Sequence, residues 1–280
     1  MKYKIINNFL DKKQCLLLID EAKKLSITDD IFKIHGGRLV LSCTSSSFNK
    51  LYNGSTVWKN LIIRITSKSF FSYCCKELDL NESDYKIVNF FNNYKLTRID
   101  SSYKKLSNIN VGILTNMQIL KVFFYRVFKS FNKIMKINIL FFNKKPIELL
   151  YDYSTALNGY SREIHRDSDN RLIVFLLYFN KISTEAEGGD LNVFELKNKD
   201  SKIFPPQPKI EDCNIIETVK PDYGKLLIFK NTDNSYHSVS EMKNNKITRH
   251  FLYGGFTLLS KKNPFIKSLT KFKTNFHLYY

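Results

Sequence analysis

The rhythm of apolar and polar positions changes near residue 145. Before it, apolar residues recur mostly at helical spacings; after it, short runs rich in Val, Ile, Leu, Phe and Tyr follow one another. Asp11 stands as the N-cap of an amphipathic stretch from Lys12 to about Leu25. Residues 44–55, rich in Ser, Asn and Gly, read as loop, and Val57 to Leu78 as one or two helices. Residues 92–110 are polar and read as irregular. Between Asn116 and Met135, the apolar positions Leu120, Phe124, Val127, Phe131 and Ile134 recur at spacings of three and four. That pattern predicts a helix packed on a core, although its basic face also suits a membrane surface.

Eight turn-bounded β runs follow: Glu148–Tyr153, Arg162–Arg166, Leu172–Phe179, Asp190–Leu196, Asn214–Lys220, Lys225–Lys230, Tyr236–Met242 and Ile247–Leu259. No helical pattern intervenes, which predicts a jelly-roll sandwich or barrel. The expected fold class is α+β. Residues 1–145 form a mainly helical support region, 146–260 a jelly-roll core, and 261–280 a basic tail.

Composition adds limits. Hydrophobic residues make up 43% of the 280, enough to bury a sizeable core. The formal charge of +18 would attract polyanions. The lysines are scattered, however, and Lys, Asn, Ile, Phe and Tyr are enriched together while Gly and Pro are scarce, as AT-rich coding would produce. Five cysteines without a CxxC pair support neither a disulfide framework nor a zinc ribbon. Reduced thiols fit a cytoplasmic protein. The N-terminal stretch lacks the apolar core of a signal peptide, and no run reaches the roughly 20 apolar residues of a membrane span.

The candidate chemistry starts at His165-Arg166-Asp167. On a strand, positions 165 and 167 point to one face, so an imidazole and a carboxylate can reach one ion. Such a triplet is a weak signal alone, and a surface His beside a solvated Asp is its ordinary meaning. His237, in another predicted strand, supplies a second imidazole. Two histidines and one carboxylate form the facial triad that suits non-haem iron(II), with coordination sites left open for reactants. Arg249, twelve residues further on, begins the last predicted strand and shares a face with Phe251 and Tyr253. Its planar fork suits a carboxylate. Arg166 and Arg171 flank the triplet. They fit an acidic substrate group at the mouth of a site, or surface pairing with Asp169 or Glu163. His250 falls on the opposite face of the last strand from Arg249 and reads as structural.

The stretches NGYSREIHRDSDNRLIVFLLYFN, EGGDLNVFE, PDYGKLLIFKNTDNSYHSVSEM and ITRHFLYGGFTLL resemble the 2-oxoglutarate/iron(II) oxygenase superfamily, in particular its prolyl 4-hydroxylase-like branch. The opening YKIINNFLDKKQCLLLIDEAKKL resembles that family's lead-in strand and first support helix. The resemblance implies a double-stranded β-helix core of eight strands. It implies that His165, Asp167 and His237 hold Fe(II), that Arg249 binds 2-oxoglutarate, and that dioxygen is the second co-substrate. Tyr153 is the expected tyrosine contact to 2-oxoglutarate. The implied activity is hydroxylation of an unactivated C–H bond, with a peptide or a small molecule such as an amino acid or sugar as substrate. Prolyl hydroxylases often carry Lys where this chain has Arg249, which loosens the link to proline. Nucleic-acid demethylases of the superfamily usually carry a second Arg six residues after the first, where this chain has Gly255. A metal-free jelly-roll binding module is the alternative of a different class, and the complete ligand set argues against it.

Overall fold

The computed structural model describes residues 1–25, 31–34, 37–43, 45–87, 144–182, 188–198, 207–243 and 248–258. The helix expected over Asn116–Met135, the irregular segment 92–110 and the basic tail lie outside them. The chain divides into two compact units, Met1–Glu82 with Glu148–Thr257, and Ser83–Ile147 with Leu258–Tyr280. In the second unit, β4 (Tyr85–Ile87) pairs in parallel with residues 145–147, the start of β5 (Lys145–Ala156).

The first unit holds everything else described. Its strands are β1 (Tyr3–Ile6), β2 (Ile31–Ile34), β3 (Arg38–Ser42), the remainder of β5, β6 (Arg162–His165), β7 (Arg171–Tyr178), β8 (Leu191–Leu196), β9 (Cys213–Val219), β10 (Leu226–Lys230), β11 (Tyr236–Val239) and β12 (Arg249–Leu258). The larger sheet has the order β1-β10-β7-β12-β5-β3-β2, and the smaller one β6-β11-β8-β9. All eight predicted β runs after residue 145 are strands. The expected lead-in strand is β1, which pairs antiparallel with β10.

The helices are α1 (Lys12–Lys23), α2 (Ser46–Gly54), α3 (Thr56–Thr66) and α4 (Lys68–Glu77). Asp11 caps α1 with a full capping box: its carboxylate accepts from the Gln14 backbone, and the Gln14 side chain accepts from the Asp11 backbone. The loop expected over 44–55 is instead α2. Ser45 accepts from the Phe48 N–H at 3.0 Å, and Phe48 and Leu51 are buried one turn apart. Serines that read as loop composition serve here as caps, and Ser55 and Ser67 do the same for α3 and α4. The pair β2 and β3 escaped the sequence reading. These strands are short, and β3 takes its register from β5.

Strand β7 reads Arg-Leu-Ile-Val-Phe-Leu-Leu-Tyr and is buried on both faces. One face joins a core cluster with residues of the smaller sheet: Val174, Leu176 and Tyr178 lie with Val193, Val219 and Val239. The other face meets the helices. Phe70 packs edge-on against Phe175, and Trp58 against both Phe179 and Tyr153. Trp58 also donates to the Leu18 carbonyl at 3.0 Å, tying α3 to α1. Each such aromatic contributes on the order of 2–3 kcal/mol through burial, with further gain from edge-to-face geometry. This layer of helices stiffens the sheet that carries Arg249.

Candidate metal centre and co-substrate pocket

Strands β6 and β11 pair antiparallel with His165 directly opposite His237. Along β11, Tyr236 faces an outer cluster with Ile164, while His237 and Val239 line the cavity between the sheets. The two imidazoles thus lie side by side, ring centroids 4.4 Å apart. Asp167 sits two residues past the end of β6, not within it, and lines the same cavity. The candidate donor atoms of His165, Asp167 and His237 lie within 4.8 Å of one another.

The protonation pattern favours metal binding. His165 Nδ1 lies 2.8 Å from the Glu163 carbonyl, and His237 Nδ1 lies 3.2 Å from the Ser235 carbonyl. A carbonyl only accepts, so each Nδ1 carries the proton and each Nε2 keeps its lone pair. Burial lowers the pKa of both rings, and for His165 burial together with the neighbouring His237 brings it to about 4. Neutral imidazole is the ligating form. Asp167 is held from behind, since the Tyr253 hydroxyl donates to its Oδ1 at 2.8 Å. Its Oδ2 is buried without a hydrogen-bond partner and lies 3.9 Å from His237 Nε2. An unsatisfied buried carboxylate oxygen beside two neutral imidazoles fits a divalent metal and is costly without one. Burial and the Asp167 carboxylate push the Tyr253 pKa upward, so this hydroxyl stays a donor.

Arg249 opens β12 and is 1% exposed. Its Nη1 donates to the Gly189 carbonyl at 2.6 Å, its guanidinium lies over the rings of Tyr178 and Phe251, and its Nε is buried without a partner. The Gly188-Gly189 turn makes this possible. Both residues have positive φ, and a Cβ at 188 would stand 1.6 Å from the Glu241 carbonyl oxygen. The cavity of about 280 Å³ holds Arg249 together with the three candidate ligands.

Tyr153 is not in this cavity. It lies on the face of β5 turned toward the helices, where its hydroxyl shares a 2.7 Å hydrogen bond with His250 Nδ1. Strand alternation is the reason: Asp152, its neighbour, lines the cavity instead. The expected co-substrate contact is therefore corrected. Tyr160 and Tyr253 are the tyrosines that line the cavity, and Tyr178, whose hydroxyl is buried without a partner, lies against the Arg249 guanidinium. Arg166 points away from the cavity, pairing with Asp233 at 2.5 Å and Asp169 at 3.1 Å, whereas Arg171 lines the cavity. The role of Tyr253 went unread, although the alternation of β12 had already put it on the Arg249 face.

Residues 150–254 match the family model described as the 2OG-Fe(II) oxygenase superfamily. No curated protein matches the chain. Among solved structures, the chain is similar to prolyl 4-hydroxylases from Phytophthora capsici, with 13% identity, 94% of this chain and 61% of that chain covered, and a TM-score of 0.50. It is also similar to a prolyl-4-hydroxylase of Pseudomonas putida (13% identity, 92% and 94% covered, TM-score 0.40). A third is a prolyl hydroxylase from Trichoplax adhaerens in complex with a hypoxia inducible factor peptide fragment (12% identity, 91% and 83% covered, TM-score 0.44). The matched segment holds the whole triad and Arg249, and it is over this segment that the chain is similar to the 2OG-Fe(II) oxygenase superfamily.

Proposed function

We propose that the protein is an Fe(II)- and 2-oxoglutarate-dependent dioxygenase that hydroxylates an unactivated C–H bond. The observation that carries this is one cavity holding a two-histidine, one-carboxylate set and, deep beside it, a buried arginine with an unsatisfied Nε. In this reading the two sheets form a double-stranded β-helix, with residues 1–145 as its support region and 261–280 as an appended tail. His165, Asp167 and His237 hold the iron, and Arg249 takes the distal carboxylate of 2-oxoglutarate. Iron, 2-oxoglutarate and dioxygen together supply the oxidising power, giving succinate, carbon dioxide and the hydroxylated substrate.

The chain's residues supply placement and protection. Tyr253 fixes Asp167 so that Oδ2 faces the imidazoles. The carbonyls of Glu163 and Ser235 fix the histidine tautomers. Gly189 holds Arg249 against Tyr178, so its charge is pre-positioned and costs little reorganisation. Leu176, Leu191 and Val239 line the cavity and keep water from the reacting centre. A prolyl residue of a peptide is the substrate class that the resemblance to the prolyl 4-hydroxylase-like branch implies. The five free cysteines are in keeping with a cytoplasmic setting.

The test is succinate release from 2-oxoglutarate by the purified protein with iron(II) and oxygen, before and after chelation. Turnover that iron restores supports the reading. A protein that binds neither iron nor 2-oxoglutarate would leave a metal-free binding module as the better account.

A further inference from the structure

The cavity holds more positive charge than the co-substrate needs. Among the described residues, four arginines line it, Arg38, Arg162, Arg171 and Arg249, against two aspartates, Asp152 and Asp167, an excess of two positive charges in that lining. A metal dication and a 2-oxoglutarate dianion cancel each other and leave that excess in place. Asp190 offsets part of it through Arg249, and a guanidinium left with an unsatisfied N–H in a partly desolvated cavity still gains from an anionic partner.

Arg171 is the member of the set best disposed to meet one. Its Nη1 is buried without a hydrogen-bond partner, and its guanidinium lies 4.8 Å from the centre of the Tyr253 ring. Gly255 makes the room: a Cβ there would stand 3.0 Å from Arg171 Nη1 and 2.4 Å from the Ile173 carbonyl oxygen. Tyr253 bonds Asp167 with its hydroxyl while its ring meets the guanidiniums of both Arg171 and Arg38. Arg38 is steadied by Ser154, whose hydroxyl accepts from its Nε and Nη2 at 3.1 and 2.9 Å. Two oriented guanidinium groups therefore flank the ring that holds a candidate metal ligand, apart from the arginine assigned to 2-oxoglutarate.

We propose that Arg171, supported by Arg38, forms an anion subsite for the substrate to be oxidised, so that this substrate presents a carboxylate close to the carbon that is hydroxylated. The proposal rests on the dioxygenase reading above. The carboxylate could belong to a small acid such as an N-acylated amino acid, or to an acidic side chain next to the target residue of a peptide. An arginine fork recognises either in the same way.

Calorimetric titration of the full chain loaded with nickel(II) and 2-oxoglutarate tests this without turnover. The probes are N-acetylproline against N-acetylprolinamide, and acetyl-Glu-Pro-amide against acetyl-Gln-Pro-amide. At least one acid should bind about ten-fold or more tightly than its amide, the ratio expected of a charge-assisted hydrogen bond. The pair that discriminates identifies the source of the carboxylate. Arg171→Gln should erase the preference, Arg171→Lys should keep part of it, and both should leave the 2-oxoglutarate Kd within about two-fold and the melting temperature near wild type. Equal binding of acid and amide, no binding by any probe at millimolar concentration, or a preference that survives Arg171→Gln overturns the proposal. So does an Arg171→Gln protein that loses 2-oxoglutarate, since Arg171 would then be the co-substrate cation. Failure of the wild-type protein to bind 2-oxoglutarate with nickel would instead sink the dioxygenase reading itself.

Discussion

Arg249 and His250 are adjacent on β12 and both are buried, yet they serve opposite sides of one sheet. Arg249 faces the cavity, with its Nε unsatisfied. His250 faces the helices, where Tyr153 bonds its ring and burial lowers its pKa to about 4, assisted by Lys23. The cavity side keeps polar atoms unsatisfied, which costs stability and equips it for ligands. The helical side satisfies what it buries with aromatic rings and a paired hydroxyl. Burial alone therefore does not mark a functional residue; buried polar atoms without partners that converge on one cavity do.

The sharpest way to break this contrast is to remove a metal ligand. Asp167→Ala should abolish high-affinity metal binding, with a loss beyond the roughly 10–100-fold typical of outer-sphere partners, while the thermal stability of the metal-free protein holds or rises. Metal titration beside a melting curve reads both. Metal affinity that survives in a folded variant would take Asp167 out of the site.

Arg249→Ala comes next. It should weaken 2-oxoglutarate binding by about 2–4 kcal/mol, roughly 30- to 1000-fold, with metal affinity nearly intact, and Arg249→Lys should lose less. Calorimetry gives the number. An unchanged Kd would move the co-substrate cation elsewhere in the cavity.

Tyr253→Phe is predicted to have a smaller effect. It removes the donor to Asp167 Oδ1 but keeps the ring under Arg171 and Arg38. Metal affinity should fall roughly 10–100-fold. An equal fall in the acid-over-amide preference would show that the two functions of this tyrosine are not separable.

On the helical side, Tyr153→Phe should cost about 1–3 kcal/mol of stability and leave 2-oxoglutarate affinity unchanged. His250 adds a pH dependence. Its folded pKa, about 4, lies below the unfolded value of 6.5, so the unfolded state binds the extra proton between them. Stability is fully present above about pH 6.5 and falls as pH drops toward 4, by at most about 3 kcal/mol for this group. In His250→Gln, the melting temperature should decline less steeply across that window. Identical slopes in the two proteins would show that His250 is not buried in its neutral form.

Much of the site was legible because strand periodicity is a local property. Alternation placed Arg249, Phe251 and Tyr253 on one face and His250 on the other, and the cavity is lined accordingly. The expectation that Tyr153 lies in the cavity comes from the family resemblance and not from alternation, and Asp152 is the residue of β5 that lines it. Helix α2 was hidden because a serine that caps a helix looks the same in sequence as one in a loop.

By itself, the sequence determined the ordered set of β runs, the capped first helix, and the order His165, Asp167, His237, Arg249. These rest on spacing within a few residues, which backbone geometry converts directly into faces and caps. Only the tertiary structure decided which side chains meet. The pairing of His165 with His237, the Tyr253 hydroxyl on Asp167, the Gly189 carbonyl on Arg249, and the inward Arg171 beside the outward Arg166 join residues 60 to 86 positions apart or flanking a single ligand. Such contacts depend on strand register and sheet packing, which are properties of the whole fold.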